Sequence, residues 1–121
     1  MQFDVQELAL AESLADFVRE QTAELKGERV AVLRVRIGAG CGIPPVALKT
    51  AFMSVVLGTS LQNCRLEVEE ADLIVFCPRC HREQTLGDIT KLVCPVCGTR
   101  TPRIVQGREL EIVSIDVVNA S

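Results

Sequence analysis

Two helix-period segments, three stretches of strand-like alternation and two Cys-x-x-Cys pairs predict an α+β fold. Its expected form is a small two-layer α/β domain, two helices on a mixed sheet, with an inserted four-cysteine zinc-ribbon module. At 121 residues and 48% hydrophobic content the chain is one ordered domain by size, with room for a small appendage. A net charge of −3 offers no long-range attraction to nucleic acid or to an anionic membrane. No signal-like segment and no bilayer-spanning apolar run occurs, so the expected location is cytoplasmic and no membrane partner is expected.

The elements follow in order. From Ala9 to Leu25, the residues Leu10, Leu14, Phe17, Val18 and Leu25 recur at helical spacing, with Glu12, Asp16, Arg19, Glu20 and Glu24 outward and Gly27 as a stop. Val30 to Ile37 alternates, Leu33, Val35 and Ile37 against Arg34 and Arg36, which reads as a strand with one wet face. Pro44 and Pro45 open a second helix whose stripe is Leu48, Ala51, Phe52 and Val55 and whose end is Gly58. Alternation resumes at Cys64, Leu66 and Val68, and again at Leu110 and Ile112, then Ile115 and Val117. The slip of phase between Ile112 and Ile115 implies a bulge or a change of buried face. The outline is α-β-α-β, ribbon, β, with residues 1–71 plus 107–121 as the α/β domain and 72–106 as the zinc-binding ribbon.

The ribbon is FCPRCHREQTLGDITKLVCPVCG, residues 76–98, which carries four of the six cysteines. In a reducing compartment such pairs are metal or redox motifs rather than disulfides. Cys77, Cys80, Cys94 and Cys97 form two C-P-x-C halves, the second followed by Gly98, as in tight turns whose amides face thiolate sulfur. Zinc held tetrahedrally by four thiolates is the ordinary occupant of that pattern. Cys77-Pro-Arg-Cys80-His81 formally matches the c-type haem attachment motif, but that reading leaves the second pair unexplained. A thioredoxin-like pair would need a βαβ setting. His81, the single histidine, reads as an exposed or outer residue, because four thiolates already fill zinc.

Zinc ribbons often meet nucleic acid, so local charge decides. Arg79, Arg82, Lys91, Arg100 and Arg103 stand against Glu83 and Asp88. That surplus falls to about +1 once four thiolates and one Zn²⁺ are counted. With four Phe and neither Tyr nor Trp, stacking residues are scarce too, and no nucleic-acid partner is expected. The segment IGAGCGIPP superficially resembles a phosphate cradle, yet it lacks both the G-x-G-x-x-G spacing and the P-loop Lys-Ser/Thr. It reads as a tight strand-to-helix turn. Cys41, before a helix start, and Cys64 read as small apolar residues. No Ser/His/Asp or Cys/His constellation assembles around His81, so no catalytic residue is assigned and the chain is not expected to be an enzyme.

The order of ELALAES, RVRIGAGCGIPPVAL, AFMSVVLGTSL, the C-x-x-C pairs and a closing strand after VQGREL resembles the HypA/HybF family of hydrogenase-maturation nickel chaperones. The resemblance covers essentially the whole chain. It implies a structural zinc at Cys77, Cys80, Cys94 and Cys97, a Ni²⁺ cargo, and no enzymatic activity. The partners it implies are a nickel-handling maturation GTPase and a hydrogenase large subunit, with urease served in some bacteria. The family's nickel-binding N-terminal Met-His-Glu aligns with Val5-Gln6-Glu7, so Gln6 stands in the place of the histidine, after an extra Met-Gln-Phe-Asp. Pro44 stands where many relatives carry an acidic residue. An amide is a poor nickel ligand beside an imidazole. Three explanations stay open: nickel bound otherwise, through Glu7, Asp4, Cys41 or His81; a zinc-ribbon docking adaptor without nickel; or a divergent variant acting with another copy of the family.

Overall fold

A computed structural model describes residues 5–87 and 89–119. It comprises α1 (Val5–Gln21), β1 (Glu28–Gly38), a 3-10 turn (Ala39–Cys41), α2 (Pro45–Val56), β2 (Arg65–Ala71), β3 (Leu73–Cys77), β4 (Arg82–Leu86), β5 (Ile104–Gln106) and β6 (Leu110–Asn119). The chain forms two compact units, one of residues up to Val35, Ile43–Val68 and from Ile112 on, the other of Arg36–Gly42 and Glu69–Glu111. The fold class is α+β, with a three-stranded mixed sheet in the order β2-β1-β6 and an antiparallel one in the order β4-β3-β5.

In the first unit α1 packs against α2. The helix α1 lies four residues earlier than its periodicity suggests. Its buried stripe is Ala11, Leu14, Ala15 and Val18, while Phe17 is exposed. Large side chains mislead here because alanine, which has no rotamer entropy to lose, allows the close approach of two helices. At its end the Thr22 amide and hydroxyl both donate to the Val18 carbonyl, at 3.0 and 2.7 Å, which closes the helix before Leu25. Gly27, at φ 72°, then turns the chain into β1.

Along β1 the expected alternation holds from Leu33, with Leu33 and Val35 buried in this unit, while Val30 is buried out of phase nearer the start of the strand. Pro45 occupies the first turn of α2, where a missing N–H costs nothing, and Leu48, Ala51, Phe52 and Val56 form its buried face. Val56, rather than Val55, closes that stripe. On the wet face of the sheet Arg34 of the central strand donates to Glu67 of β2 at 3.0 Å and to Asp116 of β6. These two carboxylates, Asp116 first, raise the Arg34 pKa further above its ordinary value. Half-burial passes through Ser114, Ile115 and Asp116 in succession, so the alternation of β6 breaks where the phase slip predicts.

The second unit is built on β3, whose Leu73, Val75 and Cys77 are buried. It pairs with β4 from Leu73↔Leu86 to Cys77↔Arg82, and with β5 through Val75↔Ile104 and Ile74↔Gln106 across a register shift. Gly38 and Gly40 of IGAGCGIPP find their reason here. The Gly38 amide donates to the Glu109 carbonyl at 2.9 Å and the Gly40 amide to the Gly107 carbonyl at 2.6 Å. A Cβ on Gly38 would lie 2.1 Å from the Gly107 carbonyl, and one on Gly107 (φ 109°) would lie 2.6 Å from the Leu73 Cα. Bare backbone is required because backbone crosses backbone. The Glu109 carboxylate accepts the Gly107 and Arg108 amides at 2.9 and 3.1 Å.

Gly38→Ala should therefore destabilise the chain by about 1–3 kcal/mol, the usual scale of forced overpacking, read as a lower denaturation midpoint. Gly87→Ala, with open space around it, should leave the midpoint nearly unchanged. The Glu109 carboxyl is held below its ordinary range, first by the Gly107 amide. A depressed folded-state pKa gives stabilisation that is present above the ordinary carboxylate value and lost as pH falls through the depressed one. Glu109→Gln should accordingly flatten part of the acid limb of stability against pH, and an unchanged acid limb would contradict this role.

Candidate metal centre

Each C-P-x-C half makes a tight turn at the end of an extended segment. In the first, at the end of β3, the Cys80 amide donates to Cys77 Sγ at 3.3 Å and the His81 amide to the Cys77 carbonyl at 2.9 Å. In the second, the Val96 amide donates to Cys94 Sγ at 3.4 Å and the Gly98 amide to the Cys94 carbonyl at 2.9 Å. A short hairpin holds this second turn. The Cys94 amide reaches the Thr99 carbonyl at 2.8 Å, the Thr101 amide reaches the Leu92 carbonyl at 2.9 Å, and Val93 bridges Arg100.

The two turns bring all four sulfurs within 4.8 Å of one another. Cys77 and Cys94 are buried, Cys80 and Cys97 half-buried. Among the described residues this is the one group of three or more His, Cys, Asp or Glu close enough to share an ion. The sulfurs by themselves cannot all carry charge at this range. Cys97 is held down to about 6, first by the Thr99 hydroxyl, 3.2 Å from its sulfur, and by the Thr99 amide. Cys80 is pushed up to about 12, first through its hydrogen bond to Cys97 and then by desolvation. A divalent cation removes that conflict by deprotonating every sulfur. Four soft donors with amide hydrogen bonds already aimed at them fit tetrahedral zinc.

His81 lies outside this set. It is exposed, and it is the single non-glycine residue at positive φ among the described residues, at 56°, the counterpart of Gly98 at 75°. Its position is thus the left-handed turn residue of the first half, where histidine is tolerated better than most side chains. Thr99 was not foreseen as part of the site. A Thr two residues past the last cysteine was the available signal.

The remaining candidates are dispersed. Cys41 Sγ donates to the Arg108 carbonyl at 3.2 Å, a weak structural bond. Cys64 is buried in the first unit, and burial pushes its thiol up. Gln6 and Glu7 sit in the first turn of α1, Gln6 exposed and Glu7 8% exposed. Asp4 and Asp88 lie outside the described residues.

Cys94→Ser should lose most bound zinc on metal analysis, since replacing a thiolate by a hydroxyl breaks a four-sulfur set. His81→Gly should keep its zinc and gain on the order of 1 kcal/mol by relieving the left-handed strain. Zinc loss in His81→Gly would make the imidazole a ligand. Retention should fall as pH is lowered, because protons compete for the sulfurs.

The description "Hydrogenase/urease nickel incorporation, metallochaperone, hypA" belongs to a family profile that matches residues 5–117. The hydrogenase maturation factor HypA of Chloroflexus aggregans is 36% identical over 110 residues, 91% of this chain and 96% of that one. HypA of Deinococcus radiodurans is 38% identical over 105 residues, covering 87% of this chain and 83% of its own. The solution structure of the Ni metallochaperone HypA from Helicobacter pylori superposes with a TM-score of 0.61 at 18% identity, covering 93% and 97% of the two chains. A second solution structure, of a HypA protein, gives a TM-score of 0.65 and covers 98% and 99%. These two carry the fold. The profile match and the relatives at this identity carry the family, and this chain belongs to the HypA family.

Proposed function

We propose that the protein is a nickel metallochaperone-like accessory factor for the maturation of nickel enzymes, with [NiFe] hydrogenase as its client and a structural zinc at Cys77, Cys80, Cys94 and Cys97. The observation that carries this reading is the family match along residues 5–117. The four-sulfur cluster supports the zinc assignment. Zinc, when bound, supplies a structural cross-link between the two halves of residues 72–106, the proposed ribbon portion. Residues 1–71 and 107–121 form the proposed nickel-type portion. In this reading the protein carries metal and docks to partners, a maturation GTPase and the hydrogenase large subunit, in the cytoplasm, without catalysing a reaction. No described helix is long and apolar enough to cross a membrane.

Gln6 and Glu7 mark the nickel position, and we infer that the unaltered chain holds Ni²⁺ only weakly there. Glu7 keeps a carboxylate at the first turn of α1, but the neighbouring side chain is an amide where nickel favours imidazole. The same substitution supports a second reading, a zinc-ribbon docking adaptor that binds the partner without the metal.

Nickel titration of the zinc-loaded chain separates the two. Gln6→His should tighten Ni²⁺ binding by roughly tenfold or more, because it returns an imidazole beside Glu7. A chain that begins at position 5 with Met in place of Val5, followed by the same histidine, should bind at least as tightly. Tight binding by the unaltered chain that disappears on Cys41→Ser or His81→Ala would place the nickel site elsewhere and overturn the assignment.

A further inference from the structure

The two turns of the metal centre match in backbone and differ in what they offer their sulfurs. In each, the first cysteine is buried and its sulfur accepts one amide, Cys77 from Cys80 at 3.3 Å and Cys94 from Val96 at 3.4 Å. The second cysteine of each half, Cys80 or Cys97, is only half-buried, so these two are the accessible ligands. Cys97 is supported by the residue two places on. The Thr99 hydroxyl lies 3.2 Å from its sulfur, and the Thr99 amide reaches it as well. Thr99 is itself held in place, since its carbonyl accepts the Cys94 amide at 2.8 Å.

The position that corresponds to Thr99 in the first half is Arg82, two residues past Cys80 and one past the left-handed His81. Its side chain is exposed, and it pairs with Cys77 across β3 and β4. Among the described residues no N–H or hydroxyl group donates to Cys80 Sγ. Its hydrogen-bond partners are the other sulfurs, Cys94 Sγ at 3.9 Å among them. Those sulfurs cease to be donors once a divalent cation has deprotonated them. A hydrogen bond to a thiolate draws on its electron density, and such bonds tune metal–sulfur centres. Of the two accessible sulfurs, Cys97 is covered by Thr99 and Cys80 is bare.

We propose that Cys80 is the reactive sulfur of the centre, the one at which a soft carbon electrophile modifies it, and that Thr99 is a positioning residue that withholds Cys97. This rests on zinc occupying the four sulfurs, as proposed above. With an alkyl iodide, the lone pair of the Cys80 thiolate attacks carbon, the S–C bond forms, the C–I bond breaks, and iodide leaves with its electron pair. No proton moves, because the metal-held sulfur is already deprotonated. The thioether that results is uncharged and a weak ligand, so zinc is released with the first modification.

The zinc content of the full chain is measured first. The zinc-loaded protein is then treated with limiting iodoacetamide while peptide masses and released zinc are followed. Cys80 should be alkylated at least about tenfold faster than Cys97, the scale of one hydrogen bond to a charged group, and zinc should appear at the rate of Cys80 alkylation. Thr99→Val should speed Cys97 by a similar factor while Cys77 and Cys94 stay slow, and Thr99→Ser should keep Cys97 slow. Faster reaction of all four sulfurs in Thr99→Val would mark a general loosening of the turn and overturn the positioning role, as would an unchanged Cys97 rate. In the unaltered chain, alkylation of Cys97 first, or of both sulfurs at one rate, overturns the proposal whether or not Thr99→Val folds. An unaltered chain that holds no zinc would remove the four-sulfur reading itself, a separate failure that the first measurement detects.

Discussion

Four sulfurs lie within 4.8 Å of one another, and without a shared cation they cannot all carry charge. Cys97 is held down to about 6, first by the Thr99 hydroxyl, and Cys80 is pushed up to about 12, first through its hydrogen bond to Cys97, so the charge settles on one sulfur at the expense of its neighbour. The rest of the second unit depends on resolving this competition. Between the end of β4 and the start of β5, the described backbone has one isolated bridge and no strand. Such a segment has too little apolar burial to offset the entropy of ordering it. A metal held by both halves, as proposed, would replace the missing core. Because Cys77 is also the last residue of β3 and fully buried, the first half is tied directly into the hydrophobic side of its sheet.

A second constraint acts at the backbone. Gly38 and Gly40 meet Gly107 so closely that any side chain would collide. This crossing, with its two amide–carbonyl bonds, fixes the path of the strand-to-helix turn. It also explains why a glycine-rich loop with the superficial look of an anion cradle belongs to the scaffold. In both turns of the metal centre the residue after the second cysteine is left-handed. One turn uses Gly98 and the other His81. The lone histidine is thereby accounted for by turn geometry.

Much of this was legible in the sequence because the signals were local. The two C-P-x-C halves declare their turns within five residues, and the alternation of Val30 to Ile37 declares a half-wet strand. The helix of Pro45 and Phe52 was equally plain. What stayed hidden depended on partners distant along the chain. The apolar run LIVFC of β3 carries no alternation, and REQTL of β4 is polar, so their pairing shows only in three dimensions. The phase of α1 was misplaced because Ala11 and Ala15, not Phe17, face α2. The role of Gly107 was invisible, since its collision partners, Gly38 and Leu73, are far from it in sequence.

The sulfur cluster and the proposed nickel position have separate physical bases. The thiolate cluster is complete and supported by amide hydrogen bonds, whereas the N-terminal position that holds histidine in the family resemblance holds Gln6. The central claim is that zinc is bound by four sulfurs and that nickel does not enter their shell. X-ray absorption at the zinc edge, recorded before and after saturation with nickel, tests it directly. The account predicts four sulfur neighbours at about 2.3 Å in both spectra. A nitrogen or oxygen in the first shell, or loss of sulfur scattering when nickel is added, would contradict it.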